Sequence, residues 1–231
     1  MTKPWFIIED EQDIAALCDV WDADLDDSSA LVLGDAQLAG KAAHAFASVS
    51  WIDAGGSPAE SFVDAAGDYL AMQAPGAVLG VARTTTRIIA GKLAVAAHAA
   101  VASNVVRAKP EGEGVAITRA VYDDFLEEGS ANAACTCLLV NPLAVRGDAP
   151  AGDGEPAAIE QVDAQSAAYV VVTGVESAPA SRVESAARVV GVGFGARSPE
   201  AFSAAKELAG TLGAEVGASM NMVENTTLMP G

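Results

Sequence analysis

The sequence predicts an α/β protein with a parallel sheet, an antiparallel extension at one sheet edge, and a short incomplete second βαβ segment. Three observations support this prediction. Short apolar runs alternate with helical patterns through residue 105, which is typical of parallel βαβ units. Residues 114–140 contain apolar runs joined by short polar turns, as antiparallel strands do. The strand and helix alternation then restarts once, after residue 187.

Four strands are expected in the first 81 residues, and each leads into a helical pattern. An N-cap at Ser57 with Pro58 as the first helical residue opens the third helix. A Thr-rich turn and a long Ala-rich helix follow the fourth strand, and the pattern changes after about residue 105. This order predicts a Rossmann-like parallel sheet with helices on both faces. The predicted strands are 5–8, 30–33, 49–52 and 77–81. The first helical pattern consists of Ile14, Leu17, Cys18 and Trp21, and the second helix is expected over 36–47.

Further strands are expected at 115–118, 121–122 and 133–140, where they extend the sheet in antiparallel fashion. Residues 146–156 are rich in Gly, Pro and Asp, which is typical of a boundary between domains. We therefore expect an α/β domain over 1–150, a linker and edge strand over 151–186, and a partial βαβ segment over 187–231.

The partial segment is expected to contain a strand over 187–192, a helix opened by Ser198 and Pro199, and a strand over 214–218. Gly213 is expected to end the helix. Thirteen residues follow the second strand, and we expect these to be too few to complete a domain. The predicted buried face of the helix consists of Phe202, Ala205, Leu208, Ala209 and Leu212.

Composition argues against several classes of function. With 13 Lys+Arg and 31 Asp+Glu, the net charge of −18 repels phosphate backbones, so no nucleic-acid partner is expected. The charge suits either solubility or a basic protein partner. The most apolar run, 87–106, contains Arg87, Lys92 and His98, so membrane insertion is not expected. The start of the chain shows no secretory signal pattern, and three cysteines make no disulfide framework, so we expect a cytoplasmic protein.

Metal and thiol chemistry receive little support from the sequence. His44 and His98 have no Cys or carboxylate at ligand spacing, so no metal site is expected. Cys135 and Cys137 alternate along a predicted strand and share a face. They are interpreted either as a redox pair or as two buried thiols that fill the core.

Two strand-to-helix turns are candidate anion sites. Gly193 and Gly195 let the backbone approach a ligand before a helix N-terminus, and Ser219 follows the next parallel strand at the same sheet edge. A tight turn that only connects a strand to a helix also explains these glycines. The second candidate is the turn 83–87, Arg-Thr-Thr-Thr-Arg, which offers hydroxyls and guanidinium groups to a phosphate. Its alternative role is helix capping by Thr84 or Thr85.

The segment 187–219 resembles the opening of the flavin domain of electron-transfer flavoprotein α subunits. That family has a strand, Gly-Arg-Gly, a helix, and Leu-Gly-Ala-x-Val-Gly-Ala-Ser-Arg. The corresponding stretches here read Ala-Arg-Val-Val-Gly-Val-Gly-Phe-Gly and Leu-Gly-Ala-Glu-Val-Gly-Ala-Ser. Residues 80–86 are similar to the family's Thr-rich turn, and residues 117–122 are similar to its Arg-x-x-Tyr hairpin strand.

The resemblance implies a carrier that binds FAD and passes electrons together with a β subunit, without a catalytic side chain. It implies that Gly193, Gly195 and Ser219 contact the cofactor. Phe194 and Met220 stand where the family has arginines, and the family's later Gln-Val-Gly-Gln-Thr-Gly loop is not found. These departures predict weak FAD binding by this chain alone. They also favour an alternative, a flavin-free scaffold or interaction subunit that pairs with a β subunit or another copy of the chain.

Overall fold

The computed structural model describes residues 3–122, 125–142, 155–167, 170, 172–174, 183 and 186–225. The chain forms two compact units, Met1–Thr173 and Gly174–Gly231. The finer three-part division expected from the sequence stays a prediction.

One sheet organises the first unit. Within the described residues its strand order is β7-β6-β5-β8-β4-β1-β2-β3-β9. All neighbouring pairs are parallel except β5–β6 and β6–β7, which form an antiparallel edge. The strands are β1 (Pro4–Ile8), β2 (Ser29–Gly34), β3 (Ser48–Asp53), β4 (Ala77–Val81), β5 (Ala100–Glu111), β6 (Gly114–Val121), β7 (Phe125–Ala131), β8 (Thr136–Val140) and β9 (Ile159–Gln161).

Helices cover both faces of this sheet: α1 (Glu11–Val20), α2 (Ala36–Ala42), α3 (Val63–Met72) and α4 (Thr84–Ala96). Successive residues of β1 face opposite sides of the sheet and pack in different hydrophobic clusters, because side chains alternate along a strand. Phe6 packs with Leu17 of α1 on one face, and Ile7 packs with Leu70 of α3 and Ile89 of α4 on the other. The predicted α/β class, with a mostly parallel sheet and an antiparallel edge, is confirmed.

The Ala-rich helix ends before the change of pattern that the sequence shows at about residue 105. α4 ends at Ala96, His98 adopts a positive φ of 50°, and the chain returns as β5. Alanine favours helices wherever it occurs, so the pattern concealed this reversal. The β-branched residues Val101, Val105 and Val106 were the signal that favoured a strand.

The expectation that residues 133–140 extend the edge is also wrong. β8 pairs in parallel with both β4 and β5 and therefore lies inside the sheet. All five of its residues are buried, as is typical of a central parallel strand. The antiparallel edge instead uses β7, an exposed and largely polar strand whose sequence carried no apolar run.

Two helix boundaries also differ from prediction. α2 ends at Ala42 rather than at residue 47. Ser57 does not cap α3, because Pro58 instead precedes a 3-10 turn, Ala59–Phe62, and α3 begins after that turn.

The second unit contains β10 (Val189–Val192), α5 (Pro199–Leu212), β11 (Glu215–Ala218) and α6 (Met220–Asn225). β10 and β11 pair in parallel, as predicted for the second βαβ segment. The Ser198 hydroxyl accepts a hydrogen bond from the Ala201 N–H at 3.2 Å, and Gly213 ends α5 with a φ of 59°. Both helix boundaries expected from the sequence are therefore confirmed.

The buried face of α5 is narrower than predicted. Phe202 and Ala209 are buried, and Phe202 packs with Val192 and Met222. Leu208 and Leu212 were expected to be buried as well, but they are 52% and 45% exposed. A two-stranded sheet is narrower than the apolar stripe of α5, so these two leucines lie outside its contact area.

Among the described residues, none of the helices combines the length and hydrophobicity needed to span a lipid bilayer.

Candidate functional site

The carboxyl ends of β10 and β11 form the first candidate site. Val192 and Ala218 are register partners, so Gly193 and Ser219 follow their strands at the same edge. The Ser219 N–H donates a hydrogen bond to the Val192 carbonyl at 3.0 Å. The structure therefore brings together the two segments in which the sequence placed its candidate binding residues. Open α/β sheets bind ligands at this kind of edge.

The glycines at this edge leave the backbone open. Gly193 has an ordinary extended conformation, with φ −87° and ψ 168°. Within the described part of the chain, no heavy atom lies within 4 Å of a Cβ built on Gly191, Gly193 or Gly195, apart from their chain neighbours. Neither a positive φ nor internal packing therefore requires glycine at these three positions. The space that side chains would fill is available to a ligand.

The turn after Gly193 also carries polar groups. Residues Phe194–Ala196 form a 3-10 turn in which the Ala196 N–H donates to the Gly193 carbonyl at 3.0 Å. Arg197 follows, with its guanidinium carbon 5.0 Å from the centroid of the Phe194 ring. Ser198 then caps the fourteen-residue helix α5. The edge thus presents open backbone, a cation and the amides of a helix N-terminus.

This donor set fits the phosphates of a dinucleotide cofactor. Anions are favoured at helix N-termini, and glycine permits close approach of a pyrophosphate to the backbone. Gly193, Gly195 and Ser219 are all exposed at this edge. Glu200, in the first turn of α5, opposes an anion and lowers the positive potential there.

Residues 182–230 match the family model described as the electron transfer flavoprotein FAD-binding domain. The matched stretch lies in the second unit and contains β10, α5, β11 and α6. The candidate edge after β10 and β11 is therefore part of a segment that is similar to this FAD-binding domain. No curated protein matches the chain.

The second candidate, the turn 83–87, is occupied by internal contacts. Arg83 Nη1 donates to Asp13 Oδ2 at 2.6 Å. Asp13 is only 2% exposed, and the same oxygen accepts the N–H groups of Glu9 and Asp10 at 2.9 Å each. The predicted caps, Thr84 and Thr85, both lie within α4, because Arg83 holds the N-cap position.

This cluster fills the point where the strand order reverses. β2 lies on one side of β1 and β4 lies on the other, and such a switch point is where open α/β sheets bind ligands. The Thr86 hydroxyl donates to Glu9 Oε1 at 3.2 Å. A Cβ at Gly80 would meet Thr86 Cγ2 at 2.5 Å, so Gly80 provides the room for Thr86. Glu9 and Asp13 were not predicted from the sequence to lie at this site, although Asp10 and Asp13 have capping-box spacing.

The cysteines lie within the core of the first unit. Cys135 and Cys137 are 3% and 1% exposed and pack in the cluster that faces α3 and α4. Both thiols are free, as is Cys18, and burial raises the pKa of Cys18 to about 12. The shared face expected for Cys135 and Cys137 is confirmed. Over the residues that the structure describes, no group of three or more His, Cys, Asp or Glu is placed to hold a metal.

Loss of the Asp13 carboxylate is expected to destabilise the first unit. Asp13→Ala leaves two backbone N–H groups and Arg83 without their acceptor, so we expect a loss of about 2–4 kcal/mol in the free energy of unfolding. Urea denaturation measures it. The matched control is Glu11→Ala, which removes a carboxylate of α1 whose ion pair with Lys41 is exposed and is worth about 0–1 kcal/mol. Equal effects of the two substitutions would contradict this interpretation.

Glu9 is expected to make stability depend on pH. Burial raises the pKa of Glu9 above 4.5, and the Thr85 hydroxyl, the Arg83 charge and the Thr86 hydroxyl oppose part of that rise. The folded protein then holds the proton more tightly than the unfolded chain does. This contribution to stability is present below pH 4.5 and is lost as pH rises through the raised pKa.

We expect Glu9→Gln to have a higher Tm than the unmodified protein at pH 7, with a smaller difference near pH 4. Thermal unfolding between pH 4 and pH 7 measures this difference in Tm, and substitution of the exposed Glu11, Glu11→Gln, is the control. A Tm difference that does not change with pH would show that ionisation of Glu9 does not limit stability.

Proposed function

We propose that this chain is an electron-transfer flavoprotein α-subunit-like protein that binds FAD and passes electrons together with a β-subunit partner. In this proposal Gly193 and Gly195 contact the cofactor through their backbone, and the Ser219 hydroxyl donates a hydrogen bond to it. A cytoplasmic location is part of the same proposal.

The open carboxyl edge of β10 and β11 is the observation that carries this function. Neither a positive φ nor internal packing requires glycine at Gly191, Gly193 and Gly195. These three residues precede the capped N-terminus of α5. The family match to an FAD-binding domain covers the same edge. The chemistry of the site and the similarity of its sequence to an FAD-binding domain therefore both support FAD as the ligand.

The bound flavin would supply the redox chemistry, and the chain's own residues would bind and orient it. The amides of Gly193 and Gly195 and the first turn of α5 would face phosphate oxygens. Ser219, at the end of the neighbouring strand, would fix the position of the cofactor along the edge. No side chain of the protein needs to break or form a bond with the substrate.

Binding of FAD to this chain alone is expected to be weak. The two family arginines are replaced by Phe194 and Met220, and each charge-assisted hydrogen bond is worth about 1.5–3 kcal/mol. Two lost bonds lower affinity by roughly two to four decades. We therefore expect the purified protein to show little visible flavin absorption and to bind added FAD weakly in a calorimetric titration.

The double substitution Phe194→Arg and Met220→Arg is expected to raise FAD affinity roughly tenfold, about the worth of one such bond. The matched control is Leu208→Arg with Leu212→Arg, which adds the same charge at exposed positions of α5. We expect no comparable gain from it. Tight stoichiometric binding by the unmodified chain would contradict the weak-site prediction. Failure of every form to bind FAD would contradict the proposed function.

A flavin-free interaction subunit of the same family is the second candidate. Phe194 and Met220 are 36% and 70% exposed, so large apolar side chains stand at the edge where the family has cations. Such residues are typical of a surface that contacts another protein. The partner in this case is a β subunit or another copy of the chain.

Partner binding with and without FAD separates the two candidates. If the chain carries flavin, saturating FAD should change its affinity for a family β subunit, because both would contact one edge. If the chain is a flavin-free subunit, FAD should leave that affinity unchanged. Light scattering of the chain alone at several concentrations tests whether another copy is the partner instead.

A further inference from the structure

Arg197 is the one basic residue in the two sequence stretches that meet at the carboxyl edge, 191–199 and 218–225. It lies between the open glycine turn and the Ser198 cap of α5. Any ligand with negative charge that approaches Gly193 and Gly195 therefore meets Arg197 as its nearest basic residue along the chain. Glu224, within the second stretch, and Glu200, directly after the first, are acidic.

Arg197 is held by a ring and not by a carboxylate. Its guanidinium carbon lies 5.0 Å from the Phe194 ring centroid, and no ion pair among the described residues includes it. Both side chains are exposed, so the contact leaves the guanidinium donors accessible to a ligand. A cation–π contact orients an arginine without neutralising its charge.

Other cations of the second unit are placed differently. Arg188 Nη1 donates to the Leu212 carbonyl at 3.0 Å, at the opposite end of α5. Lys206 also lies over a ring, with its Nζ 4.7 Å from the Phe202 centroid, but it follows the second turn of α5. Lys206 therefore shares the charge and the kind of contact that Arg197 has, and differs from it in position.

We propose that Arg197, oriented by Phe194, binds the diphosphate of the flavin dinucleotide at the β10–α5 turn. This inference rests on the proposed function and assigns the phosphate contact of that site. A guanidinium offers two parallel N–H donors that match phosphate oxygens, and the glycine amides and the α5 N-terminus complete the donor set. The aromatic side chain at position 194 then supports a cation that comes from position 197.

Three probes test the assignment by calorimetric titration of the full chain: FAD, ADP as a diphosphate without flavin, and riboflavin as flavin without phosphate. We expect Arg197→Ala to weaken binding of FAD and ADP by roughly tenfold to a hundredfold. Riboflavin affinity should not change. Arg197→Lys keeps the charge but loses the paired donors, and it should retain part of the affinity.

Two further variants isolate position and orientation. Lys206→Ala removes an equal charge and a similar ring contact, and it should leave the affinities for all three probes unchanged. Phe194→Leu keeps Arg197 but removes its support, and it should weaken FAD and ADP binding by about twofold to fivefold. Far-ultraviolet circular dichroism checks that each variant keeps its fold.

The outcomes separate this inference from the proposed function. If the unmodified chain binds FAD and Arg197→Ala binds it equally well, the assignment of Arg197 is wrong while the proposed function stands. If Lys206→Ala and Arg197→Ala weaken binding of FAD and ADP equally, the effect comes from net charge alone, and the assignment is also overturned. Absence of FAD and ADP binding by the unmodified chain would overturn the assignment of Arg197, and failure of every form to bind FAD would overturn the proposed function as well.

Discussion

The buried carboxylate of Asp13 is the interaction on which the arrangement of the first unit depends. One oxygen accepts the N–H groups of Glu9 and Asp10 and the guanidinium of Arg83. These bonds tie the turn after β1 to the turn after β4, at the point where the strand order reverses. Because Thr86 also reaches Glu9 there, side chains of the protein fill the crevice in which related sheets bind ligands.

In the second unit, too, two neighbouring parallel strands end at one edge, but the residues that follow them have the opposite composition. After β10 the chain places glycines where the first unit places Glu9 and Asp13, and the space around them is open. The capped N-terminus of α5 contributes polar groups, and its side chains do not enter this space. Two sheet edges of one kind thus differ because ion-paired side chains close one and glycines leave the other accessible. This contrast is the physical reason for proposing a cofactor site at the edge of the second unit.

Sequence patterns predicted β1 to β4 well, because each is a short apolar run between turn signals. They failed around α4 and β8, since alanine hides the end of a helix and an apolar run does not disclose which strands it will pair with. The proximity of Gly193 and Ser219 followed from parallel pairing alone. The contact of Arg197 with Phe194 did not, because it depends on the 3-10 turn that brings position 197 back over the ring.

Flavin binding and partner binding are linked if both use the open edge of the second unit. A site with Arg197 as its nearby cation, in a chain of net charge −18, would hold a dinucleotide's phosphates weakly on its own. A partner that covers Phe194 and Met220 would exclude water from the same edge, and the Arg197–phosphate attraction would strengthen as the local dielectric falls. Thermodynamic reciprocity then requires the flavin to tighten partner binding by the same factor. Weak affinity for FAD in the isolated chain is therefore compatible with a flavin carrier whose working form is a complex.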